Sequence, residues 1–362
     1  MRKKLRHILI LLAPWACLAL LVAFAAGKVW EHSRAARVPA ERETVEEALV
    51  KLEDGSLKEI ALSMDKVPKS YKYEPWHHGK VEKFRYSTNT YGLYGRKEEK
   101  ITKYAEVYLP YGYDRSKKYD TIYLMHGAGG SPERFVGSPL FPRQCRYIID
   151  NLIALGQMRP AILVSLTYYP KKGMDREQDW DAEYTRFYDK ELIRDVLPQV
   201  EAHYSTYQSR WHRTFAGFSM GSVTAYYRLC DSLAYFHTFL CMSGSLYWGP
   251  DARETGTMSD FGARYIMDAV KKQGYGKDDF FLYSCTGSED FAREVVKAQV
   301  GDEEEHPEFF TFPQNAGEGQ PCNVAFLMGE GEEHDSHATD RYLYNALPAL
   351  SEIMAGAAEE KS

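Results

Sequence analysis

Ser219 stands between two glycines in Gly217-Phe218-Ser219-Met220-Gly221. The apolar run Thr214-Phe215-Ala216 precedes it, and the stretch from Ser222 to Cys230 has the composition of a helix. A serine at the apex of so sharp a turn holds its hydroxyl clear of the chain. Glycines two before and two after it let the flanking strand and helix approach. The helix N-terminus behind the serine favours negative charge at a reacting centre. Gly-x-Ser-x-Gly is also an ordinary turn in many chains, so the partners must decide. A serine hydroxyl becomes a nucleophile only with a base to take its proton, an acid to orient that base, and two N–H donors for the oxyanion.

Candidates for all four roles occur in the order this chemistry uses when built on a parallel sheet. Asp290, in Thr286-Gly287-Ser288-Glu289-Asp290, follows an apolar run and is the expected acid, with Glu289 as its neighbour. His334, in Gly329-Glu330-Gly331-Glu332-Glu333-His334-Asp335-Ser336-His337, follows another and is the expected base, with His337 as the second candidate. The oxyanion donors expected are the N–H groups of Met220 and of Ala128, in the glycine-rich His126-Gly127-Ala128-Gly129-Gly130. That loop lacks the Gly-Lys-Ser/Thr that would make it a phosphate cradle. His334 and His337 would share a metal ion only on a helix, and Gly329 and Gly331 argue for a loop; no metal and no cofactor are expected. Tyr168, Tyr169, Tyr247 and Trp248 lie beyond strand ends and are the candidates to stack on an aromatic acyl group or a sugar ring.

The elements that must position these residues are legible as alternating patterns. Strands are predicted over residues 81–87, 105–109, 121–125, 161–167, 214–218, 238–242, 280–285 and 324–328, the later ones as continuous apolar runs. Such runs belong to strands buried on both faces. Helical patterns fall between them, over 145–155 and 188–204. Strand alternating with helix predicts a mostly parallel sheet of about eight strands covered by helices on both faces, and the strand, serine turn and helix around Ser219 match the elbow of an α/β-hydrolase fold. The first two strands have no helix between them and are expected to pair as an antiparallel hairpin. Residues 301–320, with Asp302-Glu303-Glu304-Glu305 and several Gly and Pro, read as a surface loop.

The chain has 362 residues, 44% of them hydrophobic, ample for one large core. Its formal charge of −6 and the lack of a basic, aromatic-interleaved stretch argue against a nucleic-acid partner. Residues 1–27 differ: Arg2, Lys3, Lys4 and Arg6 precede an uncharged apolar run over 8–27. They read as a secretory signal or an uncleaved membrane anchor, Ala23-Phe24-Ala25 favouring cleavage and the length of the run favouring an anchor. Either way the rest is expected outside the cytoplasm, secreted or anchored at the cell surface, and touches a membrane only through this segment. Removal of its four positive charges takes the net charge from −6 to −10, which disfavours tight contact with acidic polymers. Residues 28–70 read as a spacer or loosely docked arm with a helix-like patch over 44–60, residues 71–352 as the catalytic domain, and 353–362 as a tail. Beyond Cys17 there are five cysteines, of which Cys230, Cys241 and Cys285 read as core residues, with one disulfide allowed but not chosen.

A wider set of residues is similar to a known family. Val107-Tyr108-Leu109-Pro110, Tyr123-Leu124-Met125-His126-Gly127, Leu166-Thr167-Tyr168-Tyr169, Glu191-Leu192-Ile193-Arg194-Asp195, His212 through Gly221, Met242-Ser243-Gly244 and His334-Asp335 resemble the esterase D-like α/β-hydrolases. Within these, the chain resembles bacterial feruloyl and acetylxylan esterases of carbohydrate esterase family one, over roughly residues 76–352. The resemblance implies Ser219 as nucleophile, Asp290 as acid, His334 as base, and cofactor-free hydrolysis of feruloyl or acetyl esters on plant xylan. The partner implied is an esterified plant polysaccharide or oligosaccharide. Three positions depart from the family pattern: Ser222 replaces a glycine, and Ser336 and Thr339 stand where aromatic residues are usual. Rival readings are an esterase or acyltransferase acting on a siderophore lactone or a cell-wall acyl group, and an inactive carbohydrate-binding module.

Overall fold

Five strands are buried at every residue: β5 (Asp120–Met125), β6 (Ala161–Leu166), β7 (Arg213–Phe218), β8 (Thr238–Met242) and β9 (Phe281–Gly287). A strand apolar on both faces is stable only inside a sheet covered above and below. The computed structural model, which describes residues 39–42, 46–170, 182–248 and 261–356, shows that sheet. With β3 (Lys80–Asn89), β4 (Lys100–Leu109) and β10 (Val324–Gly329) it has eight strands in the order β10-β9-β8-β7-β5-β6-β4-β3. All pairs from β6 to β10 are parallel. β3 and β4 form the expected antiparallel hairpin, joined through the antiparallel β4–β6 pair. All eight expected strands are present.

Two apolar layers flank the sheet. One holds Val196 and Val200, Val223 and Leu229 of the helix Met220–Asp231, and Ile266 of the helix Phe261–Lys272. The other holds Ile148 and Leu152 of the helix Gln144–Ala154, and Leu343, Leu347 and Leu350 of the helix Ser336–Ala355. Each fully buried Leu, Ile or Val contributes roughly 1.5–3 kcal/mol. The helical pattern over 188–204 is realised as Tyr188–Glu191, a π turn Leu192–Val196, and Leu197–His203. Pro198, with no N–H to offer the carbonyl four residues back, lies just beyond that wide turn.

Two expectations are corrected. The helix-like patch over 44–60 is a β-hairpin, β1 (Glu46–Lys51) with β2 (Leu57–Leu62), paired antiparallel. Ala48, Val50, Ile60 and Leu62 are inward at period two, and that inward face joins the second core layer. The segment after it is pinned to the C-terminal helix: Ser63 Oγ donates to Asn345 Oδ1 at 2.8 Å, and Arg341 Nε donates to Met64 O at 3.1 Å. It is therefore docked closely, and over its described residues the arm is part of the packed body. Residues 301–320 are not a surface loop either. Their first residues end the helix Arg293–Glu304, Asp302 Oδ2 accepts from Ala263 N at 2.8 Å, and Phe309, Phe310 and Phe312 enter the core. A carboxylate that satisfies a helix N-terminus is buried without being stranded.

The segment 1–27 lies outside the described residues, as do residues 28–38 and 357–362. Among the described residues no helix is long and apolar enough to cross a membrane. Cys145, Cys230, Cys241, Cys285 and Cys322 are all free and buried.

Candidate active site

Because the central strands are parallel, their C-terminal ends share one edge of the sheet, where sites of this architecture form. β5 runs out into His126–Gly130 and β7 into Ser219. β9 leads to Asp290 and β10 to His334. Gly287 and Gly329 are paired partners at the ends of β9 and β10, so the acid and the histidine leave adjacent strands at one register.

Ser219 has φ 59° and ψ −121°, a left-handed conformation that costs a non-glycine residue of order 1–3 kcal/mol. The surroundings hold it there. Ser219 N donates to Met242 O at 2.8 Å, and Ser219 O accepts from Ser222 N at 2.9 Å. A Cβ on Gly217 would overlap the Gly221 carbonyl, one on Gly221 the Met125 carbonyl, and one on Gly244 the Ser219 carbonyl. The two motif glycines thus have the steric role expected of them, and Gly244 adds a third close approach. Ser222, the departure from glycine, is buried and donates from Oγ to Gly244 O at 3.0 Å. It ties the elbow helix to the loop after β8.

The structure separates the two histidines. His334 Nδ1 donates to Asp290 Oδ1 at 2.8 Å, whereas His337 Nδ1 pairs with Glu332 Oε2 at 2.7 Å and its side chain is largely exposed. Asp290 Oδ1 also accepts from Ala292 N at 2.7 Å, and Asp290 is buried while Glu289 is exposed. Burial works to raise the Asp290 carboxyl, but hydrogen bonding to His334, a favourable interaction with Ser243 and the Ala292 N–H outweigh it and hold it below the usual carboxylate range. Its Oδ2 is buried without a hydrogen bond of good geometry. Ser243 is itself in a left-handed conformation, φ 52°, at the end of β8. Arg341 braces the histidine loop, donating to Glu330 O at 2.8 Å and to Glu332 Oε1 at 2.9 Å.

The His334 ring packs 4.6 Å from Phe218, 4.1 Å from Phe291 and 6.4 Å from Trp248 between ring centroids. Ser219 is 9% exposed, and its Oγ makes no hydrogen bond to His334 among the described residues. The Ser–His contact of an unliganded site is commonly loose and closes with substrate.

The loop after β5 is organised by His126. Its Nδ1 lies 2.7 Å from Gly127 O, a carbonyl that only accepts, so Nδ1 carries the proton and Nε2 accepts from Thr167 Oγ1 at 2.7 Å. Burial pushes the His126 pKa down to about 4, which keeps the ring neutral. Lys103, ion-paired with Glu191 at 2.8 Å, donates to Thr167 O and anchors the other side of this network. Gly129 N donates to the Tyr169 hydroxyl at 2.8 Å. Ala128 is exposed, with its N–H uncommitted among the described residues, and Met220 opens the elbow helix, where N–H groups have no intrahelical partner.

Of the four aromatic candidates, Trp248 reaches the histidine and Tyr169 reaches the glycine-rich loop. Tyr168 and Tyr247 are corrections: they are 2% and 8% exposed. Tyr168 packs against His126 and Tyr169, and the Tyr247 hydroxyl donates to Asp302. Phe291, 72% exposed yet stacked on Trp248 and packed at a tilt against His334, was not singled out from the sequence. Its place directly after Asp290 was the signal available. No cluster of three metal-ligating side chains occurs among the described residues.

The model of the Esterase family matches residues 100–312. Endo-1,4-beta-xylanase Y of Acetivibrio thermocellus is 32% identical over 257 residues, which is 68% of this chain and 22% of the relative. The endo-1,4-beta-xylanase/feruloyl esterase of Xylanibacter ruminicola is 35% identical over 127 residues, 33% of this chain and 16% of the relative. The chain thus spans about a fifth of the length of these curated relatives. The solved feruloyl esterase module from Clostridium thermocellum, a serine-to-alanine variant complexed with sinapinate, is similar with a TM-score of 0.63 and 27% identity, over 84% of this chain and 95% of that one. A CE1 ferulic acid esterase from Anaeromyces mucronatus, solved with ferulic acid, shares the fold at a TM-score of 0.55 and 18% identity, over 82% and 99%.

Proposed function

Because this chain belongs to the Esterase family, as a carboxylic ester hydrolase of α/β-hydrolase fold resembling the CE1 feruloyl esterases, we propose that it is an exported serine esterase that removes feruloyl, or acetyl, groups from plant xylan. The observation that carries the mechanism is the His334 Nδ1–Asp290 Oδ1 hydrogen bond of 2.8 Å beside a strained elbow serine. The names of the xylanase and feruloyl esterase relatives support the substrate class, and the charged, then apolar, residues 1–27 support export.

In the first half-reaction His334 Nε2 takes the Ser219 Oγ proton as Oγ attacks the ester carbonyl. The N–H groups of Ala128 and Met220 receive the oxyanion, and Asp290 stabilises the imidazolium. His334 then gives its proton to the departing sugar oxygen, leaving an acyl-enzyme. In the second half-reaction water loses a proton to His334 and attacks the acyl carbonyl. The C–Oγ bond breaks, the proton returns to Ser219, and the acid leaves. Ester and water are the only reactants consumed. The exposed face of Phe291, backed by Trp248, favours an aromatic acyl group as the one accepted beside His334.

The test is ferulate release from a feruloylated arabinoxylan fragment and acetate release from acetylated xylan, by wild type and Ser219→Ala. Ferulate release that falls by several powers of ten in the variant, with an unchanged circular dichroism spectrum, is the expected result. Acetate release alone would move the acyl group and keep the mechanism. Activity that survives Ser219→Ala would overturn the mechanism.

A further inference from the structure

Phe218 connects the histidine of the site to a pocket on its other side. Its ring centroid is 4.6 Å from that of His334 and 5.4 Å from Arg134 Cζ. Arg134 lines an open pocket of about 210 Å³ together with Arg143, Cys145, His337 and Asp340. Ser336 and Thr339 also line it, at the two positions where the family resemblance leads one to expect aromatic rings. Small side chains there leave the volume open.

The walls have an unusual chemistry for a chain of net charge −6. Neither Arg134 nor Arg143 has a carboxylate within ion-pair distance among the described residues, and Arg134 makes only a long, 3.4 Å hydrogen bond to Thr339 Oγ1. The helix Gln144–Ala154 begins here with Arg143 at its N-cap and no side-chain cap. The N–H groups of Gln144 and Cys145 therefore have no partner among the described residues, although Cys145 is buried. Buried orphan donors are rare and call for an acceptor. Asp340 is only 9% exposed and makes no hydrogen bond and no ion pair within 4 Å among the described residues, though Arg134 and His337 act on it at longer range. Burial lifts its pKa to about 7, so near neutrality it is present both as acid and as carboxylate.

Two guanidinium groups and a helix N-terminus fit a carboxylate. A buried, unbonded carboxyl beside them fits a hydroxyl. A sugar acid presents both groups on one ring. We propose that this pocket is a subsite for a uronic acid substituent of the polysaccharide, its carboxylate on Arg134, Arg143 and the Gln144 and Cys145 N–H groups, and a sugar hydroxyl on Asp340. The proposal rests on the reading of the substrate as esterified xylan, and it extends that reading to an acidic, glucuronosyl-bearing polymer. It also reverses, at one locus, the repulsion of acidic polymers that the net charge alone implies.

The test is direct binding, with no ester present. Calorimetry on the full chain compares xylotetraose with xylotetraose bearing one glucuronosyl group. The acidic oligosaccharide is expected to bind at least about tenfold tighter, the scale of one charge-assisted contact. Arg143→Gln, at an exposed position, should remove most of that advantage, and Arg134→Gln/Arg143→Gln all of it, with the affinity for the neutral oligosaccharide unchanged. Equal binding of the two oligosaccharides would overturn the proposal, as would an advantage that persists in Arg143→Gln. Displacement of the acidic oligosaccharide by inorganic phosphate at equal concentration would reduce the pocket to a plain anion hole and also overturn it. Since no ester is used, these outcomes are independent of the ferulate and acetate assays.

Discussion

Asp290→Asn is the most informative single perturbation of the proposed triad, because both donors that reach the carboxylate converge on one oxygen. His334 Nδ1 at 2.8 Å and Ala292 N at 2.7 Å share Oδ1, while Oδ2 has no hydrogen bond of good geometry among the described residues. An amide with its oxygen at the Oδ1 position keeps both donors and places its NH₂ at the unbonded Oδ2 position. The opposite orientation sets NH₂ against two N–H groups. His334 therefore keeps its Nδ1 proton, and Nε2 stays free to act as base. What is lost is the negative charge beside the imidazolium. A unit charge pair near hydrogen-bonding distance at an effective dielectric of 20 is worth about 4 kcal/mol, and a neutral acceptor retains about half of such an interaction. The net loss of about 2 kcal/mol corresponds to about one and a half powers of ten in rate. A forced tautomer change costs about four. The assay is kcat/KM on an activated aryl ester for wild type, Asp290→Asn and His334→Ala. Asp290→Asn should retain roughly a few hundredths of wild-type activity and lie well above His334→Ala. If it falls as low as His334→Ala, or if nitrogen NMR finds the His334 proton on Nε2, the convergence argument is wrong.

The remaining predictions concern the scaffold and the acyl face. His126, neutral in the fold with a pKa of about 4 against about 6.5 unfolded, contributes stability that is fully present above pH 6.5 and lost as pH falls toward 4. The loss is about 3 kcal/mol by pH 4, and urea midpoints of wild type and His126→Gln should converge as pH falls. Phe291→Ala should raise KM for feruloyl esters several-fold, affect an acetyl ester less, and leave Tm within a degree or two, because the ring is 72% exposed. Gly217→Ala puts a methyl group into the Gly221 carbonyl, so it should abolish activity and lower Tm. Gly301→Ala, in open space on a helix, should instead stabilise by about 0.5–1 kcal/mol in chemical denaturation.

The central sheet was legible in the chain because a strand buried on both faces must be apolar throughout, and a nucleophile at a tight turn must be flanked by glycine. Those are local constraints, and β5 to β9 with the Ser219 elbow obey them. Local patterns misled where burial was partial. The hairpin of β1 and β2 carries mixed short runs that fit either period, and the acidic run at Asp302 hid a carboxylate whose partner, Ala263 N, lies 39 residues away. The order of serine, acid and histidine came from the chain, which also put His334 ahead of His337, but their partners did not. Only the strands bring Asp290 to His334 and Glu332 to His337. The same holds for the aromatics. Tyr168 and Tyr247 follow strand ends as Trp248 and Phe291 do, yet the first pair is buried and the second faces His334. Composition determines which segments are buried. Which side chains meet across tens or hundreds of residues is decided by sheet register and helix packing, since hydrogen bonds and ring contacts act over only a few ångströms.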